Sequence, residues 1–127
     1  IVSLRVEGSV NLQPSTQHIE NLYMNASFVA MSSRYEGLPM ILIEAQCFGL
    51  PIVSFDCQCG PKDIVKDGFD GFLVPEGDVK KKKKKMSRLM SDDSLLKQMG
   101  KAAKESSKRF EEQAIMERWE NILTVNP

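Results

Sequence analysis

Two carboxylates eight residues apart, Glu36 and Glu44, carry the strongest chemical signal in the sequence. They belong to the stretch Ser32-Ser33-Arg34-Tyr35-Glu36-Gly37-Leu38-Pro39, which runs into Met40-Ile41-Leu42-Ile43-Glu44-Ala45 and closes at Gly49-Leu50-Pro51. Pro39 suits the first position of a helix and Gly49 suits its exit, so Glu36 precedes the helix and Glu44 lies within it. From Met40 to Phe48 the segment is apolar apart from Glu44 and Gln46, which predicts a helix buried all round. An ionised carboxylate there costs free energy or shifts its pKa, so Glu44 is expected to face a cleft or a polar partner. At the helix start, the free amides of Met40 and Ile41 and the positive end of the dipole suit a phosphate, with Glu36 and Glu44 on either side. Were the whole stretch helical, the two carboxylates would be separated by about 12 Å of rise. A glycosidase acid/base pair needs about 5 to 9.5 Å, so hydrolysis is disfavoured. A long, hydroxyl-rich ligand fits better, because each carboxylate can accept two sugar hydroxyls.

The elements that must position these groups alternate in kind. Val2 to Val6 has strand composition, Gly8-Ser9-Val10-Asn11 reads as a turn, and Thr16 to Asn25 reads as a helix. In that helix Ser15 is the expected cap, and Ile19, Leu22 and Tyr23 share one face. Ser27 to Met31, Ile52 to Phe55 and Gly71 to Val74 are short apolar runs typical of strands covered on both faces. Between the last two come Asp56-Cys57-Gln58-Cys59-Gly60-Pro61 and a short helix from Lys62 to Lys66. The remainder reads as helical. One segment runs from Asp78 to Met90, another opens at Asp92-Asp93, and a last runs from Glu111 to Leu123 with Ile115, Trp119 and Ile122 on one packing stripe. Strands alternating with helices imply an α/β fold, an open parallel sheet with helices on both faces. Ligands of such sheets bind outside the carboxyl ends of the strands, where the Ser32 to Pro39 loop lies.

With 127 residues and 42% hydrophobic content, the sequence supports one domain, 1–127, in which 91–127 is mainly helical. No membrane-spanning run and no signal peptide is read. Three cysteines, Cys47, Cys57 and Cys59, do not suggest a disulfide framework, so a cytoplasmic setting is expected. Cys57-Gln58-Cys59 has no second Cys/His pair at zinc spacing and His18 stands alone, so no metal is expected. The net charge of zero excludes a global pull toward nucleic acid. It conceals an unbroken run of six lysines, Lys80 to Lys85, without which 11 basic residues face 17 acidic ones. The plain reading of that run is a solvated helix face; the alternative is attachment to anionic lipid or phosphate at the inner face of a membrane. A helix with no apolar residue between Val79 and Met86 is expected to be frayed or weakly packed in its first turns.

The string from Arg34 to Met40, with Glu44-Ala45, Gly49-Leu50-Pro51-Ile52-Val53, Gly60-Pro61 and Asp67-Gly68-Phe69-Asp70-Gly71-Phe72-Leu73-Val74, resembles the donor-binding half of the retaining nucleotide-sugar glycosyltransferases. These enzymes have two Rossmann-like domains, the GT-B architecture. Glu36 and Glu44 match that family's Glu-(seven residues)-Glu signature. The resemblance implies a C-terminal donor domain lacking its first strand-helix units, in a chain that is a fragment of a longer enzyme. It implies transfer of a sugar from a nucleoside-diphosphate sugar, UDP- or GDP-linked, to an acceptor hydroxyl with retention, without a metal or other cofactor. Glu36, the candidate catalytic residue, would bind hydroxyls of the transferred sugar, and Glu44 would hold the ribose. Gly37, Leu38, Pro39, Met40 and Ile41 would contact sugar and diphosphate, and Gly8, Ser9 and Val10 would lie near the base. The family's cationic pair for the diphosphate lies upstream of this sequence, leaving Arg34 and Lys62 as the nearest basic residues for phosphate. The acceptor, a sugar, glycolipid or polysaccharide, would be held by a missing N-terminal domain, so the chain alone is expected to be inactive. Two alternatives stand beside this: a nucleotide-binding module without turnover, and a basic surface-binding module acting through Lys80 to Lys85.

Overall fold

The computed structural model describes residues 6 and 8–124. Strands β1 (Val29–Met31), β2 (Ile52–Asp56) and β3 (Gly71–Pro75) form a parallel sheet in the order β1-β2-β3. Val29 lies opposite Ile52, and Ile52 opposite Gly71. Side-chain alternation along the strands divides the core in two. Met31 and Ile52 join Tyr23, Leu42, Ile43 and Ile64 beneath helices α1 (Ile19–Asn25), α2 (Met40–Cys47) and α3 (Pro61–Ile64). Val53 and Phe72 join Leu89 and Met99 beneath α4 (Val79–Ser91) and α5 (Asp93–Ser107). A 3-10 turn, Lys108–Phe110, leads to α6 (Glu112–Thr124). The expected parallel sheet with helices on both faces is therefore present.

Because every strand feeds a helix from the same end, the loops after β1, β2 and β3 collect along one edge. Two aspartates start the helices of the second layer. The Asp78 carboxylate accepts from the Lys81 amide at 2.8 Å, and Asp92 accepts from Leu95 at 2.9 Å. The exit of α2 is held against α5 at close range: a Cβ on Gly100 would lie 2.7 Å from the Gly49 carbonyl oxygen. The Lys104 ammonium then donates to the Cys47 carbonyl at 2.5 Å, satisfying one of the orphan acceptors at the end of α2.

Several expectations need correction. The Val2 to Val6 strand falls almost wholly outside the described residues. Helix α1 begins at Ile19 rather than Thr16, with His18 instead of Ser15 at the cap position and no side-chain cap bond. Ile19 and Leu22 remain exposed, so only Tyr23 of the expected stripe is buried. Pro39 is the N-cap of α2 and not its first helical residue. That helix is also not buried all round: Leu42, Ile43, Ala45 and Gln46 point inward, while Met40, Ile41 and Phe48 are exposed. Helix α4 is complete from Val79 and capped, where frayed turns were expected, and Lys82 is buried beneath it. Helix α6 buries none of its residues, so Ile115, Trp119 and Ile122 form an exposed stripe and not a packed one.

Candidate functional site

The loop from Ser32 to Pro39 carries Glu36 from the end of β1 to the start of α2 and is braced by the loop after β2. Tyr35 makes a parallel bridge with Gln58. Gly60 lies directly under the loop: a Cβ there would meet Pro39 Cδ at 2.4 Å and the Gly37 carbonyl oxygen at 2.8 Å. Gly60 has φ +97° and Cys59 φ +66°, so the second loop turns sharply through two left-handed residues to make that contact. Glu36 is half-buried at this junction.

Glu44, within α2, is half-buried and oriented from α1. The Tyr23 hydroxyl donates to Glu44 Oε2 at 2.9 Å, and the Tyr23 ring is buried with its centroid 5.3 Å from that of Phe48. Burial, followed by the hydrogen bond to Glu44 and its negative charge, pushes the Tyr23 phenol up to about 12. A neutral phenol therefore fixes one carboxylate oxygen, while Oε1 has no hydrogen-bond partner among the described residues. This is the polar partner that a carboxylate in that helix required.

No side chain caps the start of α2, and its first turn carries no acidic residue. The amides there stay available to an acceptor from outside. Glu36 after β1, Asp56 at the end of β2 and Glu76 after β3 act on Cys57 through their charges. Burial raises the pKa of this thiol, a backbone hydrogen bond opposes the rise, and the charges of Glu36, Glu76 and Asp56 add to it. No group of His, Cys, Asp and Glu among the described residues could hold a metal ion.

Glu36, Gly37, Leu38, Pro39, Met40, Ile41 and Glu44 lie along one continuous segment, the loop after β1 and the first turns of α2. Leu38, Met40 and Ile41 are exposed, so this segment is open to solvent rather than enclosed. Two concavities of the surface lie elsewhere: one beside Lys81, Lys84, Lys85 and Arg88 on α4, the other among Ala30, Ser32, Lys82 and Met86. Gly8, Ser9 and Val10 form an exposed turn in which the Ser9 and Val10 amides donate to the Val6 carbonyl at 2.9 and 3.0 Å. Among the described residues, no hydrogen bond links this turn to the Glu36 or Glu44 segment. Arg34 and Lys62 are exposed and make no ion pair among the described residues. Sequence reasoning missed three contributors. Tyr23 looked like core, Gly60 looked like a loop residue, and Lys82 was indistinguishable from its five neighbours. Only Gly60 had a local signal, in the Gly-Pro pair that opens α3.

The family described as "Glycosyl transferases group 1" matches residues 2–106. A Streptomyces coelicolor protein named exopolysaccharide phosphotransferase is 38% identical over 125 residues, covering 98% of this chain and 13% of the relative. The amylovoran biosynthesis glycosyltransferase AmsD of Erwinia amylovora is 34% identical over 123 residues, covering 97% of this chain and 34% of the relative. The chain thus spans about a third or less of these relatives. Among solved structures, an S. aureus TarM variant in complex with fondaparinux, alpha-GlcNAc-glycerol and UDP superposes with a TM-score of 0.88 at 27% identity, covering 94% of this chain and 24% of that one.

Proposed function

The chain belongs to the group 1 glycosyl transferases, and from that premise we propose that it supplies the donor site of a retaining enzyme that transfers a sugar from a nucleoside-diphosphate sugar. Its fold is that of the C-terminal domain of GT-B glycosyltransferases. The observation that carries the reading is the pair of carboxylates on either side of an uncapped helix start, one braced by Gly60 and the other oriented by Tyr23. In this reading the ribose hydroxyls donate to Glu44, whose Oε1 is open, and the sugar hydroxyls donate to Glu36. The diphosphate meets the amides of Met40 and Ile41, where backbone dipoles stabilise charge developing on the leaving group. Helix amides and basic side chains make a metal unnecessary in this scheme. Arg34 and Lys62 are the basic groups nearest in sequence to that helix start and to Gly60.

Transfer to an acceptor hydroxyl of a sugar, glycolipid or polysaccharide, with retention at the anomeric carbon, belongs to the whole enzyme. The chain alone binds donor without turning it over, in keeping with its share of AmsD. Titration with UDP, GDP and their sugar conjugates tests this. Saturable binding that Glu44→Ala abolishes is expected; binding indifferent to that substitution overturns the assignment. The phosphotransferase relative shares this stretch over only 13% of its length.

Placement at the cytoplasmic face of a membrane has support from α4. Lys81, Lys84, Lys85 and Arg88 line one surface concavity, and no carboxylate pairs with them among the described residues. No described helix is long and apolar enough to cross a membrane. Cosedimentation with anionic vesicles that weakens with added salt is the expected result; equal recovery with neutral vesicles would remove the membrane from the account.

A further inference from the structure

Lys82 departs from the other lysines of its run. It is 5% exposed, and its ammonium donates to the Met31 carbonyl at 2.6 Å and to the Ser32 hydroxyl at 2.5 Å. The same nitrogen lies 4.5 Å from the centroid of the Phe55 ring. No carboxylate pairs with it among the described residues. The inward positions that follow on α4 are Met86 and Leu89, so an aliphatic side chain would suit the site. Burial of the ammonium lowers its pKa, which is the free-energy cost of putting a charge there. Both acceptors lie at one point, where β1 ends and the Glu36 loop begins.

We propose that Lys82 is a positioning residue: its ammonium fastens the last carbonyl of β1 and the first side chain of the following loop to α4, and so fixes the path that presents Glu36 and the start of α2. The functional half of this inference rests on the donor-site reading of that loop; the structural half does not. Charge and donor geometry matter here more than bulk, because both contacts are charge-assisted hydrogen bonds from one nitrogen. The loop is thereby clamped on two sides, by Gly60 from the β2 side and by Lys82 from α4.

The test uses the whole chain with Lys82→Met, which keeps length and removes the donors, Lys82→Arg, which keeps charge, and Ser32→Ala, which removes the hydroxyl from an exposed residue. Amide hydrogen exchange is followed residue by residue, and UDP binding by calorimetry. Lys82→Met is expected to speed exchange across 32–36 and weaken UDP binding, each by about tenfold or more, since two charge-assisted hydrogen bonds are lost. Exchange in β2 and β3 should stay unchanged, Lys82→Arg should recover part of both effects, and Ser32→Ala should reproduce a smaller local change. Unchanged loop exchange, or exchange sped uniformly through the sheet, overturns the proposal. Should Lys82→Met fail to fold, Ser32→Ala decides it: unchanged exchange across 32–36 in that variant refutes the clamp. If the parent chain binds no UDP, the donor reading fails while the exchange measurements still decide the clamp.

Discussion

The Tyr23 hydroxyl and Glu44 Oε2 meet at 2.9 Å, joining two helices whose partners are 21 residues apart in sequence. A phenol held neutral by burial is a better orienting group than water. It fixes the carboxylate plane and leaves the second oxygen directed elsewhere. Tyr23→Phe removes this bond and little else, so it should cost about 1 kcal/mol of stability in urea denaturation. UDP affinity should fall severalfold, because Glu44 then rotates among more orientations. Undiminished affinity in Tyr23→Phe would mean that the contact is structural only.

Phenol ionisation followed by ultraviolet absorbance should place Tyr23 near 12. Glu44→Gln removes the charge but not the burial, which is the first cause of the shift. The midpoint should therefore move down while staying above 10.0. A return to the ordinary phenol value would show that Glu44, and not burial, dominates.

Alkaline stability should show opposing contributions. Lys82 has a folded pKa below its ordinary 10.5, so in the pH window beneath that value the unfolded chain binds more protons and stability rises with pH. Tyr23 has a folded pKa raised from 10.0 to about 12, so above pH 10 the folded chain binds more protons and stability falls. Urea titrations at stepped pH should show the rise vanish in Lys82→Met and the fall shrink in Tyr23→Phe. Parent and Lys82→Met profiles of the same shape below pH 10.5 would contradict the buried charged state of Lys82.

Gly60 offers a sharper structural test. Alanine there must adopt a φ of +97° and place its Cβ 2.4 Å from Pro39. Strain alone costs about 1–3 kcal/mol, and displacement of the Glu36 loop adds to it. Gly68 has φ +77°, but a Cβ there would meet nothing within 4 Å, so its alanine variant bears only the left-handed penalty, about 1 kcal/mol. Melting temperatures should rank parent, Gly68→Ala, Gly60→Ala, and UDP binding should fail only in the last. Equal melting temperatures for the two variants would show that the loop tolerates the displacement.

Local patterning made most of this architecture legible. Continuous apolar runs marked β2 and β3, and Asp78 and Asp92 stand as caps where the helical reading of 78–90 and the start at 92–93 required them. What failed depended on tertiary placement. Glu36 and Glu44 were visible as a pair, yet Tyr23, which orients Glu44, comes from a helix whose other apolar residues are exposed. Six identical residues cannot declare which one turns inward; Lys82 does so because the helix phase set by Asp78 aims that position at the end of β1. Ile115, Trp119 and Ile122 have the spacing of a packed face, but spacing specifies a face and not its partner.

Cys57 should report on the charges around the site through its reactivity. Thiolate is the attacking species, so a raised pKa slows alkylation, and burial slows it further. Cys47 and Cys59 are exposed. With iodoacetamide at about pH 8, near the ordinary thiol pKa, two thiols should react quickly and Cys57 slowly, a split readable by mass spectrometry of the peptides. Because burial outweighs the carboxylates in raising its pKa, Glu36→Gln should quicken Cys57 only modestly. Three thiols reacting at one rate in the parent chain would mean that Cys57 is not shielded from solvent as the fold places it.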